Sequence, residues 1–311
     1  MNKMKEHAMA ILDYAIEKSI PQAAVQKALS NWKEKPSRII LISIGKAAWT
    51  MADAAIQLLG DTVKKGVVIT KYGHSQGPIA HCIIHEAAHP VPDENTVQGG
   101  KLALEAIKNL SKEDTVLFLV SGGGSALFEV PEDGISLHDI QEITTTLLSC
   151  GADIIEINTI RKRLSAVKGG KFAMHCAPAN VFTIALSDVL GDRPDSIASG
   201  PTCPDETTCA DALKILDKYH IHPKNPHIMR CLQTETPKFL SNVKTEITGS
   251  VNLLCAAAAQ KAQMLGYHPI ILTTNLTCEA KEAGKFLASI AKTISQKQST
   301  LPMPCAIICG G

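Results

Sequence analysis

Residues 114–127 read D-T-V-L-F-L-V-S-G-G-G-S-A-L. An apolar run rich in β-branched and aromatic residues stops at a serine and three consecutive glycines. The run predicts a strand buried on both faces, and the glycines predict a sharp turn into a helix. The same grammar recurs on either side. Arg38 to Ile44 (R-I-I-L-I-S-I), Gly66 to Thr70 and Val181 to Ser187 are short apolar runs that read as strands. Residues 4–18, 22–32, 46–59, 93–110, 137–149 and 153–167 carry helical periodicity between or before them. Near-continuous apolar strands separated by helices predict a parallel sheet covered on both faces. Further on, residues 251–265, 269–273, 279–294 and 305–309 predict a second helix–strand–helix–strand unit. Residues 221–249 hold Pro223, Pro226 and Pro237 among many polar residues, and predict a linker.

Composition limits the function. The 311 residues are 45% hydrophobic and carry a formal net charge of +1. That balance excludes disorder, which requires low hydrophobicity and high net charge. It also argues against a nucleic-acid binder, which needs a basic face to neutralise phosphates. Aromatics are 4%, too few for base stacking to be the main activity. The ten cysteines are scattered with no C-x-x-C pair, so reduced thiols in a cytoplasmic protein are expected. No run of 18 apolar residues occurs, and no membrane span is expected.

In open α/β sheets, ligands bind beyond the carboxyl ends of the strands. Three such ends carry distinctive chemistry. Ser43-Ile44-Gly45-Lys46-Ala47-Ala48 leads from strand to helix, where free N–H groups and the Lys46 ammonium suit an anion. Ser121-Gly122-Gly123-Gly124-Ser125 lets backbone N–H groups close on a phosphate or carboxylate. Ser187-Asp188 places a carboxylate at a strand tip, suited to a magnesium ligand or a general base. A G-x-S-x-G nucleophile elbow fails because Leu127 stands where a glycine is needed.

A basic stretch spans residues 158–170. Asn158, Arg161, Ser165 and Lys168 are spaced to share one helix face, which is either a solvated surface or the lining of an anion pocket. In the second case Arg161 can grip a carboxylate with two parallel bonds. His81, His85 and His89 are four apart, but their strand-like and proline-rich surroundings favour an ordered loop over a metal site.

Five motifs occur together in one order: S-I-G-K-A-A (43–48), H-P-V-P-D-E (89–94), S-G-G-G-S-A-L (121–127), E-I-N-T-I-R-K-R-L-S-A-V-K-G-G (156–170) and S-D-V-L-G-D…I-A-S-G-P-T (187–202). In this the chain resembles the glycerate 2-kinases with a C-terminal MOFRL segment, some of which carry an older label of hydroxypyruvate reductase. The resemblance implies an α/β fold with a Rossmann-like parallel sheet in a first domain, residues 1–235. A second α/β domain would start at 236 and run to 311, cut before the MOFRL segment. It implies a cytoplasmic kinase moving the γ-phosphoryl of ATP, with Mg2+, to the 2-hydroxyl of D-glycerate in a cleft between the domains. Lys46 and Asp188 match positions expected in catalysis, Asp188 as base or magnesium ligand. Gly45, Ser121, Gly122, Gly123, Gly124, Ser125, Asn158, Arg161 and Lys168 would bind substrate or nucleotide. One departure is Thr277-Cys278-Glu279-Ala280, where family members often carry Gly-Glu-Ala. Two other outcomes stay open: a small-anion module that binds without turnover if the missing segment is essential, or a hydroxypyruvate reductase. The reductase needs a G-x-G-x-x-G fingerprint that neither glycine-bearing loop supplies. Oligomeric state is not readable from the sequence.

Overall fold

The computed structural model describes residues 3–34, 36–187, 194–296 and 301–311. Asp188, singled out above, lies outside the described residues. Six strands form one parallel sheet: β1 (Ile39–Ile44), β2 (Val63–Lys71), β3 (Cys82–Ala87), β4 (Thr115–Val120), β5 (Asn180–Leu186) and β6 (Val243–Gly249). Their spatial order is β3-β2-β1-β4-β5-β6. This is the doubly wound, dinucleotide-type order, and its direction reverses between β1 and β4.

Every residue of β1 and β4 is buried, which explains their near-continuous apolar runs. Leu117 and Leu119 face a cluster with Ile39, Leu41, Met51, Ala55 and Phe182. On the opposite face Phe118 packs against Phe172, ring centroids 5.1 Å apart, and Phe172 meets Phe128 edge-on. A further apolar layer joins the helices Leu137–Ser149, Ile154–Leu164, Cys209–Lys218 and Pro226–Leu232 through Ile140, Ile160, Leu216 and Leu232. Serine, threonine or aspartate caps the first three through reciprocal side-chain and backbone bonds.

The stretch 221–249 is not a linker. Pro226 opens a helix, Pro223 and Pro237 lie in irregular segments, and its polar C-terminal part is β6. As an edge strand it carries Lys244, Thr245, Glu246 and Thr248 and lacks the near-continuous apolar signal of β1 and β4. β6 lies beyond residue 235, the end of the first domain that the resemblance implies, and Val181 N–H bonds the carbonyl of Asn242 just before it, 2.7 Å away.

By compactness the chain divides into two units. The larger holds residues 25–186 and 193–248; the smaller holds 1–24, 187–192 and 249–311. In the smaller unit, strands β7 (His268–Thr273) and β8 (Cys305–Cys309) pair in parallel. The N-terminal helix Lys3–Ser19 packs on the helix Val251–Met264. His7 Nδ1 lies 3.0 Å from the Tyr267 hydroxyl, and the Tyr14 hydroxyl donates to Gln260 Oε1. No described helix is long and apolar enough to cross a membrane.

Candidate active site

The register of the sheet sets the geometry. Ile44 stands beside Val120, so β1 and β4 end at one level and their loops leave side by side at the switch point. Gly45 has φ +112, and a Cβ there would overlap the Ser121 side chain and carbonyl. Only glycine lets the two loops touch.

Strand β2 and the β4 loop together take up the β1-loop donors. Gly45 N–H bonds Ile69 O at 3.1 Å, Lys46 N–H bonds Gly122 O at 2.9 Å, and Ala47 N–H bonds Ser121 Oγ at 3.0 Å. The helix start expected to offer free amides to an anion therefore offers none at these positions. What this loop presents is the exposed Lys46 side chain.

The β4 loop is the opposite case. Among the described residues, the N–H groups of Gly122, Gly123 and Ser125 make no hydrogen bond. Gly123 is left-handed at φ 86, a conformation that turns successive N–H groups toward one side. Lys46 Cε and the His89 ring both lie against Gly123, within about 3.2 Å of where a Cβ would stand. Gly124 does not join the cradle. Its N–H bonds Ser121 O, and its bare Cα faces Ala198.

Beside Gly123 opens a cavity of about 190 Å3, lined by His89, Ser125, Glu129, Gln141, Thr144 and Arg161, among others. The basic run around it is not a solvated face. Lys162 and Arg163 are buried and hold Asp205, at 3.2 and 3.5 Å. Burial alone would raise the Asp205 pKa, but the Lys162 charge and bonds from Thr236 and Thr207 hold it below its ordinary value. Lys168 is fully buried under the loop, donating to the carbonyls of Ser125 and Phe128 and lying 3.3 Å from Glu129 Oε2. Three acceptors require all three N–H bonds of an ammonium. Lys171 pairs with Glu132 at 2.6 Å.

Of the five cations in residues 161–171, Arg161 alone, among the described residues, has no carboxylate within 4 Å. Its Nε donates to Thr144 Oγ1 at 3.2 Å, which leaves its terminal nitrogens for a ligand. Burial lowers its pKa and the Glu129 charge opposes that.

The expected four-residue stripe does not form. The helix ends at Leu164, with Ser165 in extended conformation, so Ser165 and Lys168 leave its face. Asn158 sits behind the loop, where Oδ1 accepts from Ser199 Oγ, itself 3.0 Å from Ser125 Oγ. Asn158 and Lys168 thus support the cradle from behind and do not line the cavity.

The histidines scatter: His81 faces Asp61, His85 reaches the Asn95 carbonyl, and His89 meets Gly123. Among the described residues no three metal-ligating side chains gather. Glu129 belongs to none of the five motifs, yet a lone acid inside L-F-E-V-P is the signal of a buried, partnered charge.

Comparison with known proteins fits this geometry. Residues 7–233 match the family described as a domain of unknown function, DUF4147. The D-glycerate 2-kinase of Thermotoga maritima is 51% identical over 308 residues, covering 99% of this chain and 73% of that protein. The chain belongs to the glycerate 2-kinase family. The glycerate 2-kinase of Pyrococcus horikoshii is 39% identical, again over 99% of this chain and 73% of its own length. A crystal structure of Thermotoga maritima glycerate kinase superposes with TM-score 0.95 at 50% identity, covering all of this chain and 74% of that one. The chain thus spans about three quarters of the length of these family members.

Proposed function

We propose that this chain transfers the γ-phosphoryl group of ATP to the 2-hydroxyl of D-glycerate, giving 2-phosphoglycerate and ADP. The observation that carries the proposal is the unspent amide nest of Gly122, Gly123 and Ser125, set against Lys46 and opening onto a small cavity with one uncommitted guanidinium. Phosphoryl transfer needs positioning and charge neutralisation more than covalent chemistry. The nest holds phosphate oxygens. Lys46 sits where negative charge grows in the transition state. Arg161 anchors the glycerate carboxylate in the cavity. Ser121 and Gly45 fix the two loops against each other, and Asn158 and Lys168 hold the nest in place from behind.

Magnesium suits such a triphosphate, because it keeps several waters and takes one or two protein carboxylates. When bound it supplies charge neutralisation on the phosphates. Asp188 follows the carboxyl end of β5. We assign it either that ligand role or the role of taking the proton from the 2-hydroxyl as the oxygen attacks. The ten thiols, all free, together with the use of ATP support a cytoplasmic setting.

The reductase reading has less support. A dinucleotide pyrophosphate would rest on the amides after β1, and those of Gly45, Lys46, Ala47 and Ala48 are already bonded. The deciding experiment is a coupled assay with ATP and D-glycerate, alongside calorimetry with each ligand. ADP formation that depends on glycerate supports the kinase. Binding without turnover would replace it with an anion-binding module, and NADH oxidation with hydroxypyruvate in the absence of ATP would replace it with a reductase.

A further inference from the structure

We infer that Glu129 is a specificity residue of the acceptor subsite, accepting a hydrogen bond from the second hydroxyl of the acceptor, the 3-hydroxyl of glycerate. The inference rests on the kinase reading and deepens it. Glu129 is 2% exposed, and its Oε2 faces the Lys168 ammonium. Its Oε1 is buried and has no hydrogen-bond partner among the described residues. Buried carboxylate oxygens are ordinarily bonded, so an orphan inside a cavity wall indicates a missing donor.

The chemistry of the wall limits what that donor is. An ionised carboxylate only accepts, so the group opposite Oε1 must donate, and a phosphate or a second carboxylate is repelled. Arg161, in the same wall, only donates and favours a carboxylate. The lining thus sets one cation, Arg161, against one carboxylate, Glu129. The occupant therefore combines one carboxylate with a hydroxyl donor. At about 190 Å3 the cavity is below the range of about 300–1,000 Å3 usual for drug-sized ligands, so a three-carbon acid suits it and a nucleotide does not. Apolar Pro92, Ile140 and Leu148 close the remaining wall. Carboxylate on Arg161, one hydroxyl on Glu129 and the other toward Gly123 and Lys46 make three points of contact. Three points distinguish the two hands of a 2-hydroxy acid.

D-Lactate is the natural probe, because it lacks only the 3-hydroxyl. The wild-type chain should favour D-glycerate over D-lactate by about 100-fold or more in kcat/KM, since a site built for a hydroxyl is left with an unpaired group by the analogue. In Glu129→Gln this ratio should fall about tenfold or more, over and above any loss common to both acceptors from leaving Lys168 without its carboxylate. Equal loss on both acceptors, leaving the ratio unmoved, means a structural role only and overturns the inference. Should the variant not fold, calorimetry on the wild-type chain decides. Glycerate binding about tenfold or more tighter than D-lactate supports the inference, and equal affinities, as when a water satisfies Oε1, overturn it. The two readings fail separately. Selective binding of glycerate without phosphorylation removes the kinase and keeps the subsite; phosphorylation with an unmoved ratio does the reverse.

Discussion

Replacing Lys168 with methionine tests whether the cradle is held from below by a buried charge. Methionine keeps the length of the side chain and removes the ammonium. The carbonyls of Ser125 and Phe128 lose a donor, and the Glu129 carboxylate loses the only ion-pair partner it has among the described residues. Removing one partner of a buried pair costs about 3–5 kcal/mol, because the remaining charge is left uncompensated. A domain is stable by about 5–15 kcal/mol, so the loss is a large share.

Both tryptophans lie in the larger unit: Trp32 stacks on Phe182, and the Trp49 indole bonds the Gly77 carbonyl. Urea unfolding followed by tryptophan fluorescence therefore reports on the unit that holds the site. The expected result is a lower midpoint at unchanged slope. Adding Glu129→Gln to Lys168→Met should restore about 2 kcal/mol or more, since the unpaired charge is the larger part of the damage. A loss below about 1 kcal/mol for Lys168→Met, or no recovery in the double variant, refutes the reasoning. Either would mean that Lys168 is not what holds residues 125–129.

Lys46→Ala should lower kcat about 100- to 1,000-fold in the coupled assay, with the urea midpoint unchanged because the side chain is exposed. Unchanged turnover would remove Lys46 from catalysis. Gly45→Ala should destabilise the larger unit by about 2–5 kcal/mol, combining the strain of positive φ with overlap on Ser121, read in the same unfolding experiment. Glu156 accepts from Lys218 and Tyr219, which hold its pKa down to about 2. A depressed carboxylate stabilises above its unfolded pKa and loses that contribution as pH falls through the folded one. Glu156→Gln should therefore cost stability at pH 7, with the difference from wild type fading between about pH 4.5 and about pH 2. Screening around the half-exposed Lys218 limits the loss to about 1 kcal/mol or less.

The sheet was legible because β1 and β4 are buried on both faces, and near-continuous apolar runs, interrupted only by Ser43 and Thr115, fill such positions. β6 was hidden because an edge strand needs only one apolar face, and the prolines upstream resembled punctuation. The loops that meet at the site were legible from glycine and lysine at strand ends. Which amides they leave free was not, because that depends on how two loops 76 positions apart, at Gly45 and Ser121, fit together. The basic stretch divided in the same way. Its spacing suggested one stripe, but the helix stops at Leu164 and the later members turn beneath the loop.

That division bears on how the site attains selectivity with a net charge of only +1. Five cations within eleven residues would form a strong field for any anion if all were free. Four are instead committed to Asp205, Glu129 and Glu132. Their role is to hold the helix Ile154–Leu164 and the β4 loop in fixed relation, which a bare apolar contact would do with less directional control. Arg161 is left as a single fork, aimed across a cavity whose other polar pole is Glu129. A uniformly basic pocket would take phosphate, ATP and carboxylates without distinction. A pocket with one guanidinium and one carboxylate selects molecules that carry a negative charge at one end and a donor at the other. The nest, which shares Gly123 and Ser125 with the cavity wall, and Lys46, which is not part of that wall, are left for the phosphates. Separation of the two anions thus follows from where the buried acids sit, and it predicts that neutralising an acid should broaden the choice of acceptor before it abolishes turnover.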